Sequence, residues 1–139
     1  ALITCASISE CKTPWGNMSA DKIEKWKQEG VMYYHNKRTN QKMPLYYQLF
    51  EDYQQNEAHL NIQNAIKKLK IPILICHGLN DPAVNYSSAQ SLQKWQPNAK
   101  LFTVDSDHVF GRSHPWTHEY LPNSMQMVID ESIQFLKKI

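Results

Sequence analysis

Residues 73–84 read ILICHGLNDPAV: an apolar run passes directly into a polar turn. The run is short, continuous in its apolar character and rich in β-branched residues, which is typical of a strand buried on both faces of a parallel sheet. The Gly, Asn, Asp and Pro that follow are turn-forming residues. The segment therefore predicts a central strand that ends in a polar loop.

Alternating helices and strands flank this segment. A helix is predicted over about 86–95, and the next strand over 100–104, while the apolar run at residues 2–8 predicts another buried strand. Strands that alternate with helices favour an α/β fold with a parallel sheet and right-handed crossovers. In such sheets ligands bind beyond the carboxyl ends of the strands, so the loops at those ends are the places to search for a site.

The region between the first two predicted strands has a mixed pattern. Ser19 as an N-cap and Gly30 as a terminator predict a helix between them, and residues 31–46 predict a hairpin. Helical spacing of apolar residues predicts two further helices, over about 45–56 and 62–69. A last helix is predicted from about residue 123 to residue 138.

Two polar loops supply groups that are suited to proton transfer. Asp81 follows one predicted strand and His108 follows the next, 27 residues later, the length of one helix plus one strand. An imidazole can take a proton from a hydroxyl group and return it near neutral pH, and a carboxylate on its other nitrogen fixes its tautomer. Asp105 competes with Asp81 for the carboxylate role, whereas Asp107 adjoins the histidine and is expected to point elsewhere.

The two residues before the first loop have structural interpretations. His77 is expected to hydrogen-bond the loop, and Gly78 is expected to supply either a positive φ or a close backbone approach, both of which glycine tolerates best.

Both loops resemble those of the α/β hydrolases. Residues 73–84 are similar to the strand and acid loop of that superfamily, written H-G-x-x-D-x-x-V, with Asp81 in the place of the triad acid. The stretch SDHVFG at residues 106–111 is similar to the loop that carries the triad histidine, and His108 fills that place. The order of acid before histidine also matches this fold.

The resemblance implies an α/β fold of which this chain is the C-terminal part, strands 6 to 8 of a mostly parallel sheet with flanking helices. Residues 1–8 are then strand 6, residues 9–70 a cap or lid insertion, and residues 71–139 strands 7 and 8 with both loops and the last helix. The stretch GRSHPW at 111–116 narrows the resemblance to the dienelactone-hydrolase and prolyl-oligopeptidase-like branch.

The nucleophile of the superfamily has no counterpart in this sequence. The nucleophile elbow of the superfamily is G-x-S-x-G, and no serine of this sequence lies between glycines at that spacing. The chain is therefore expected to be a fragment that lacks the N-terminal half, inactive alone, with a companion chain or a second copy beside strand 6. Completed, it is expected to be a serine-type esterase or lactone hydrolase that acts on a small ester or acyl compound and needs no cofactor.

Two other function classes remain as alternatives. A non-catalytic interaction module on the same fold is the first, because fold does not imply function. A flavodoxin-like nucleotide binder is weaker, because no Gly-rich phosphate loop follows any predicted strand.

Composition excludes several partners. The sequence has 42% hydrophobic and 20% charged residues and a net charge of +2, which gives no reason to expect nucleic acid or an anionic membrane surface as a partner. No apolar run approaches the roughly 20 residues of a membrane helix. Three cysteines without C-x-x-C spacing make a reduced, cytoplasmic protein the expectation.

Aromatic and histidine residues give weaker site hypotheses. Trp15, Tyr33 and Trp116 are candidates for lining a substrate pocket, with ordinary packing as the alternative. His114 and His118 have a spacing that can bind metal on a helix, but Pro115 between them and the lack of a third ligand argue against a metal site.

Overall fold

The computed structural model describes residues 1–12, 15–36, 39–113 and 115–139. Its strands are β1 (Leu2–Cys5), β2 (Val31–Asn36), β3 (Gln41–Tyr46), β4 (Ile73–Gly78) and β5 (Lys100–Val104). Its helices are α1 (Ala20–Glu29), α2 (Gln48–Asn56), α3 (Ile62–Lys68), α4 (Ser87–Trp95) and α5 (Asn123–Leu136), and a 3-10 turn covers Trp15–Asn17. The chain forms two compact units, residues 1–9 with 62–139 and residues 10–61.

The first unit is built on a three-stranded parallel sheet with the order β1-β4-β5. This confirms the predicted α/β fold with a parallel sheet and flanking helices. The central strand β4 is buried at all six positions, as its uninterrupted apolar run predicts. Successive side chains of a strand point to opposite faces, so β4 contributes to two cores.

Each face of the sheet has its own apolar cluster. One contains Leu74 and Cys76 of β4, together with Ala6, Val104, Phe110 and Val128. The other contains Ile73 and Ile75 of β4, together with Ile66, Ala89, Leu92 and Ala99. A fully buried aliphatic side chain stabilises a fold by about 1.5–3 kcal/mol, so these two clusters fix β4 and the loop that follows it.

The second unit contains α1, the hairpin of β2 and β3, and α2. Ser19 caps α1 by accepting from the backbone N–H of Lys22, and Gly30 ends the helix with a φ of 71°. Both predicted caps and the predicted hairpin are therefore confirmed. Trp26 is 1% exposed and forms the centre of an aromatic core.

Two predicted boundaries differ from the structure. The strand predicted over residues 2–8 ends at Cys5, because Ala6 has a φ of 51°, a left-handed conformation that interrupts an extended chain. The insertion is predicted to extend to residue 70, but α3 belongs to the first compact unit, so the second unit ends at residue 61. That residues 9–70 act as a cap stays a prediction.

None of the helices within the described residues has the length and apolar character needed to cross a membrane.

Candidate active site

The loops after β4 and β5 are joined along their backbones. We call residues 79–86 the acid loop and residues 105–113 the His loop. The N–H of Leu79 donates to the carbonyl of Val104 at 2.9 Å, and the N–H of Asn80 donates to the carbonyl of Ser106 at 3.0 Å. These bonds continue the β4–β5 pairing beyond the strands and hold the two loops in one register.

Asp81 is fixed at both carboxylate oxygens. Its Oδ1 accepts from the backbone N–H groups of Ala83 and Val84, each at 2.8 Å. An aspartate that bonds amides two and three residues ahead forms a local turn of its own. Its Oδ2 lies 2.8 Å from Nδ1 of His108. The side chain is fully buried, so solvent does not compete for these bonds.

His108 presents one nitrogen to the protein and keeps the other open. Because a carboxylate can only accept, the ring carries a proton on Nδ1, which leaves Nε2 as the basic nitrogen. The His108 side chain is 42% exposed, and its Nε2 has no hydrogen-bond partner among the residues that the structure describes. The geometry is that of a general base oriented by a buried acid.

The two competing carboxylates have other partners. Asp107 accepts from the N–H groups of Val109 and Gly111 at 3.1 and 2.8 Å and so shapes the His loop. Asp105 accepts from the side-chain amide of Asn80 in the acid loop. The structure therefore brings Asp81, and neither competitor, to His108.

Phe110 anchors the His loop in the core. It is 3% exposed and has a φ of 57°, and Gly111 follows with a φ of 81°. A bulky residue in the left-handed region is strained by about 1–2 kcal/mol, and such strain is common at functional sites.

Gly78 provides the close approach that the sequence predicts. A Cβ on this residue would lie 2.5 Å from the carbonyl oxygen of Asp107 and closer still to that of Ser106. The lack of a side chain thus lets the His loop lie against the end of β4.

Hydrogen bonds hold the pKa of Asp81 below its ordinary value. Burial alone would raise that pKa, but the N–H of Val84, His108 and the N–H of Ala83 stabilise the charged carboxylate and outweigh the burial. The net shift is downward.

Acid should therefore weaken the fold through Asp81. A carboxyl with a lowered pKa in the folded state stabilises the protein above its unfolded pKa, about 3.9, and that contribution is lost as the pH falls through the lower folded pKa. We expect urea unfolding between pH 6 and pH 3 to show a smaller loss of stability in Asp81→Asn than in the wild type. The exposed Asp130→Asn serves as the control, and equal pH slopes in wild type and Asp81→Asn would contradict the prediction.

The three aromatic candidates have different immediate surroundings. Trp15 is 7% exposed and packs against Tyr53 and Phe50 with ring centroids 5.1 and 5.7 Å apart. Tyr33 is exposed on β2 and lines an apolar groove of about 730 Å³ in the second unit. Trp116 donates from Nε1 to the carbonyl of Tyr120 in the first unit. Their role in substrate binding stays a prediction.

A metal site gains no support from the described residues. Among them, no three His, Cys, Asp or Glu side chains are grouped as a metal would require. His118 stacks on Tyr120 and meets Trp116 edge to face, with ring centroids 5.0 Å apart in both pairs. His114 lies outside the described residues.

The contact between Asn80 and Asp105 was not expected from the sequence. It joins the acid loop to the His loop across 25 residues, and nothing in the local pattern of either loop indicates the pairing. The proximity follows only from the parallel pairing of β4 with β5.

Solved structures share this architecture. A candidate hydrolase from Agrobacterium vitis S4 superposes with a TM-score of 0.68 at 16% identity, covering 96% of this chain and 48% of its own. The chain therefore has an α/β-hydrolase-like fold. The esterase domain of a Rhodothermus marinus protein gives a TM-score of 0.52 at 10% identity with the same coverage of both chains. Est1E from Butyrivibrio proteoclasticus gives 0.50 at 21% identity over 69% of this chain and 35% of its own.

The chain spans about half the length of the first of these structures. No protein-family model matches the sequence, and curated proteins likewise give no match. The likeness is thus one of fold, and the chemistry of the site has to be argued from its own residues.

Proposed function

We propose that this chain supplies the acid and the general base of a serine-type acyl hydrolase. The observation that carries the proposal is the 2.8 Å contact between buried Asp81 Oδ2 and His108 Nδ1, with His108 exposed on its other side. A histidine on a flexible surface loop would lack this orientation. A fixed tautomer and an open Nε2 are what a general base needs.

The chemistry follows from the two nitrogens of His108. Its Nε2 takes the proton of a serine hydroxyl while the hydroxyl oxygen attacks the carbonyl carbon of the substrate. The same nitrogen then gives that proton to the leaving alkoxide, which departs as an alcohol and leaves an acyl-enzyme. Water, activated in the same way, releases the acid. Throughout, Asp81 stabilises the imidazolium by its charge and keeps it aligned.

The serine is proposed to come from a segment outside this sequence. Two observations support this: the sequence holds no G-x-S-x-G, and the fold covers 48% of the neighbour from A. vitis. Among the described strands, β1 pairs only with β4, so its other edge offers unpaired backbone groups to a further strand. An apolar groove of about 260 Å³ is lined in part by Leu2 of β1 and by Ile8, Ile62 and Ile66.

A carboxylic ester or lactone of small size is the proposed substrate class. The name of one structural neighbour, an esterase domain, supports an ester substrate, and the dienelactone-like sequence features point the same way. A cytoplasmic location and independence from cofactors remain part of the proposal.

Covalent labelling tests this proposal. The protein is purified from its source with any companion segment, treated with a fluorophosphonate and analysed by intact mass. We expect one serine of the companion segment to be labelled, and we expect His108→Ala to slow labelling by roughly 10²-fold or more, because proton removal from the serine is lost. Asp107→Asn, which keeps the oxygen that accepts from Val109 and Gly111, is the matched control and should label like the wild type.

Either of two results would overturn the enzyme assignment. One is a folded complex without any labelled serine, which would favour the interaction module instead. The other is labelling that proceeds at the same rate in wild type and His108→Ala, which would show that the serine is activated by another base.

A further inference from the structure

His77 occupies an apolar position of the central strand. Ile73, Ile75 and His77 alternate along β4 and so point to the same face of the sheet. The histidine is 0% exposed, like its aliphatic neighbours. A buried polar ring is costly unless its hydrogen bonds are made, so its presence here calls for a partner.

That partner is a carbonyl of the acid loop. Nε2 of His77 lies 2.9 Å from the backbone oxygen of Val84, which confirms the predicted bond to the loop. Because the carbonyl can only accept, the ring carries its proton on Nε2. The same nitrogen is 3.6 Å from Oδ2 of Asp81, beyond hydrogen-bond distance, so that oxygen remains available to His108.

Val84 is thereby held on both sides of its backbone. Its carbonyl accepts from His77, and its N–H donates to Oδ1 of Asp81 at 2.8 Å. One of the two amides that fix the rotation of the carboxylate thus belongs to the residue that His77 holds. The rotation of the carboxylate in turn decides where Oδ2 points, and it points at His108.

We propose that His77 is a positioning residue, which acts through Val84 to orient the carboxylate of Asp81 toward His108. It touches neither substrate nor the reacting atoms. The importance of His77 for catalysis rests on the function proposed above. The contacts that lead from His77 to His108 do not depend on that function.

The proposal distinguishes a hydrogen bond from mere filling of space. In His77→Phe the ring still fills the pocket, but the carbonyl of Val84 loses its donor. In His77→Gln the side-chain amide again offers an N–H to that carbonyl. If His77 acts through its hydrogen bond, His77→Phe should disturb the orientation of Asp81 and His77→Gln should preserve it.

The experiment is NMR on the full chain. We expect His77→Phe to increase hydrogen exchange of the Ala83 and Val84 amides about fivefold to tenfold, the usual worth of one hydrogen bond. The downfield proton signal of His108 Nδ1–H should broaden or disappear in the same variant. In His77→Gln, both readouts should return toward those of the wild type.

Ile75→Val is the matched control. It removes one methylene from the same face of the same strand, so it weakens packing without touching the acid loop. We expect it to change exchange at Ala83 and Val84 no more than exchange elsewhere in β4. If His77→Phe does not fold, His77→Asn replaces it, since its amide is too short to reach Val84.

Unchanged Val84 exchange and an unchanged His108 signal in the folded His77→Phe protein would overturn the proposal. So would a folded His77→Gln protein that behaves like the phenylalanine variant. Neither readout requires catalysis, so a chain that shows both effects and yet supports no hydrolysis would refute the proposed function and leave the role of His77 in place.

Discussion

If Asp81 and His108 act as proposed, replacement of Asp81 by asparagine should lower kcat of the assembled protein by roughly 10⁴-fold, the usual cost of a wrong histidine tautomer in a triad. The asparagine oxygen can still accept from the amides of Ala83 and Val84, which bond Oδ1 of the aspartate. Its NH₂ group then faces Nδ1 of His108 and donates to it. The imidazole must in response carry its proton on Nε2, where it cannot accept one from a serine.

The measurement is the steady-state hydrolysis of a short p-nitrophenyl ester by the assembled protein. Asp105→Asn is the matched control, because that carboxylate also lies at the end of a strand but pairs with Asn80, and its kcat should stay near that of the wild type. A large loss of kcat in Asp105→Asn together with a small loss in Asp81→Asn would show that Asp105, and not Asp81, is the acid.

Gly78→Ala should destabilise the first unit by about 3 kcal/mol, the upper range for an added methyl in a packed interior. The new Cβ would lie within 2.5 Å of backbone oxygens of Ser106 and Asp107. Backbone cannot rotate away as a flexible side chain can, so the His loop has to move off β4. We expect urea unfolding to show the loss, and the downfield signal of His108 to disappear with it.

Gly30→Ala is the comparison that isolates the steric clash. Gly30 has a φ of 71°, and a Cβ there would meet nothing within 4 Å, so alanine costs only the left-handed conformation, about 1 kcal/mol. Gly78 has no positive φ, so its loss would come from contact alone; a loss in Gly78→Ala no larger than that in Gly30→Ala would mean that the clash is relieved at little cost.

Much of the fold is predictable because the relevant signals are local. Each element is predicted by residues within it or at its ends. Examples are the apolar run of β4, the caps Ser19 and Gly30 of α1, and the alternation of strands and helices after residue 70. The end of β1 was mispredicted because the left-handed turn at Ala6 has no signal in an alanine, which ordinarily continues a strand or a helix.

The sequence predicts only those contacts of the site that follow from the order of the strands. Asp81 and His108 follow neighbouring strands, so their spacing and the resemblance suffice to predict that they meet. The bond between Asn80 and Asp105 and the chain of contacts through Val84 depend on loop conformation at the scale of single bonds. His77 did carry a signal, since a histidine in step with Ile73 and Ile75 is out of place on a buried face.

The bonds that join the acid loop to the His loop also bear on how this protein tolerates mutational drift. Leu79 and Asn80 use main-chain N–H groups to reach the carbonyls of Val104 and Ser106, and every residue except proline supplies such a group. These main-chain bonds therefore do not depend on which side chains stand at the four positions, although the core constrains Val104 and the bond to Asp105 constrains Asn80. Side chains around His108 can then change while the main-chain bonds keep the two loops aligned.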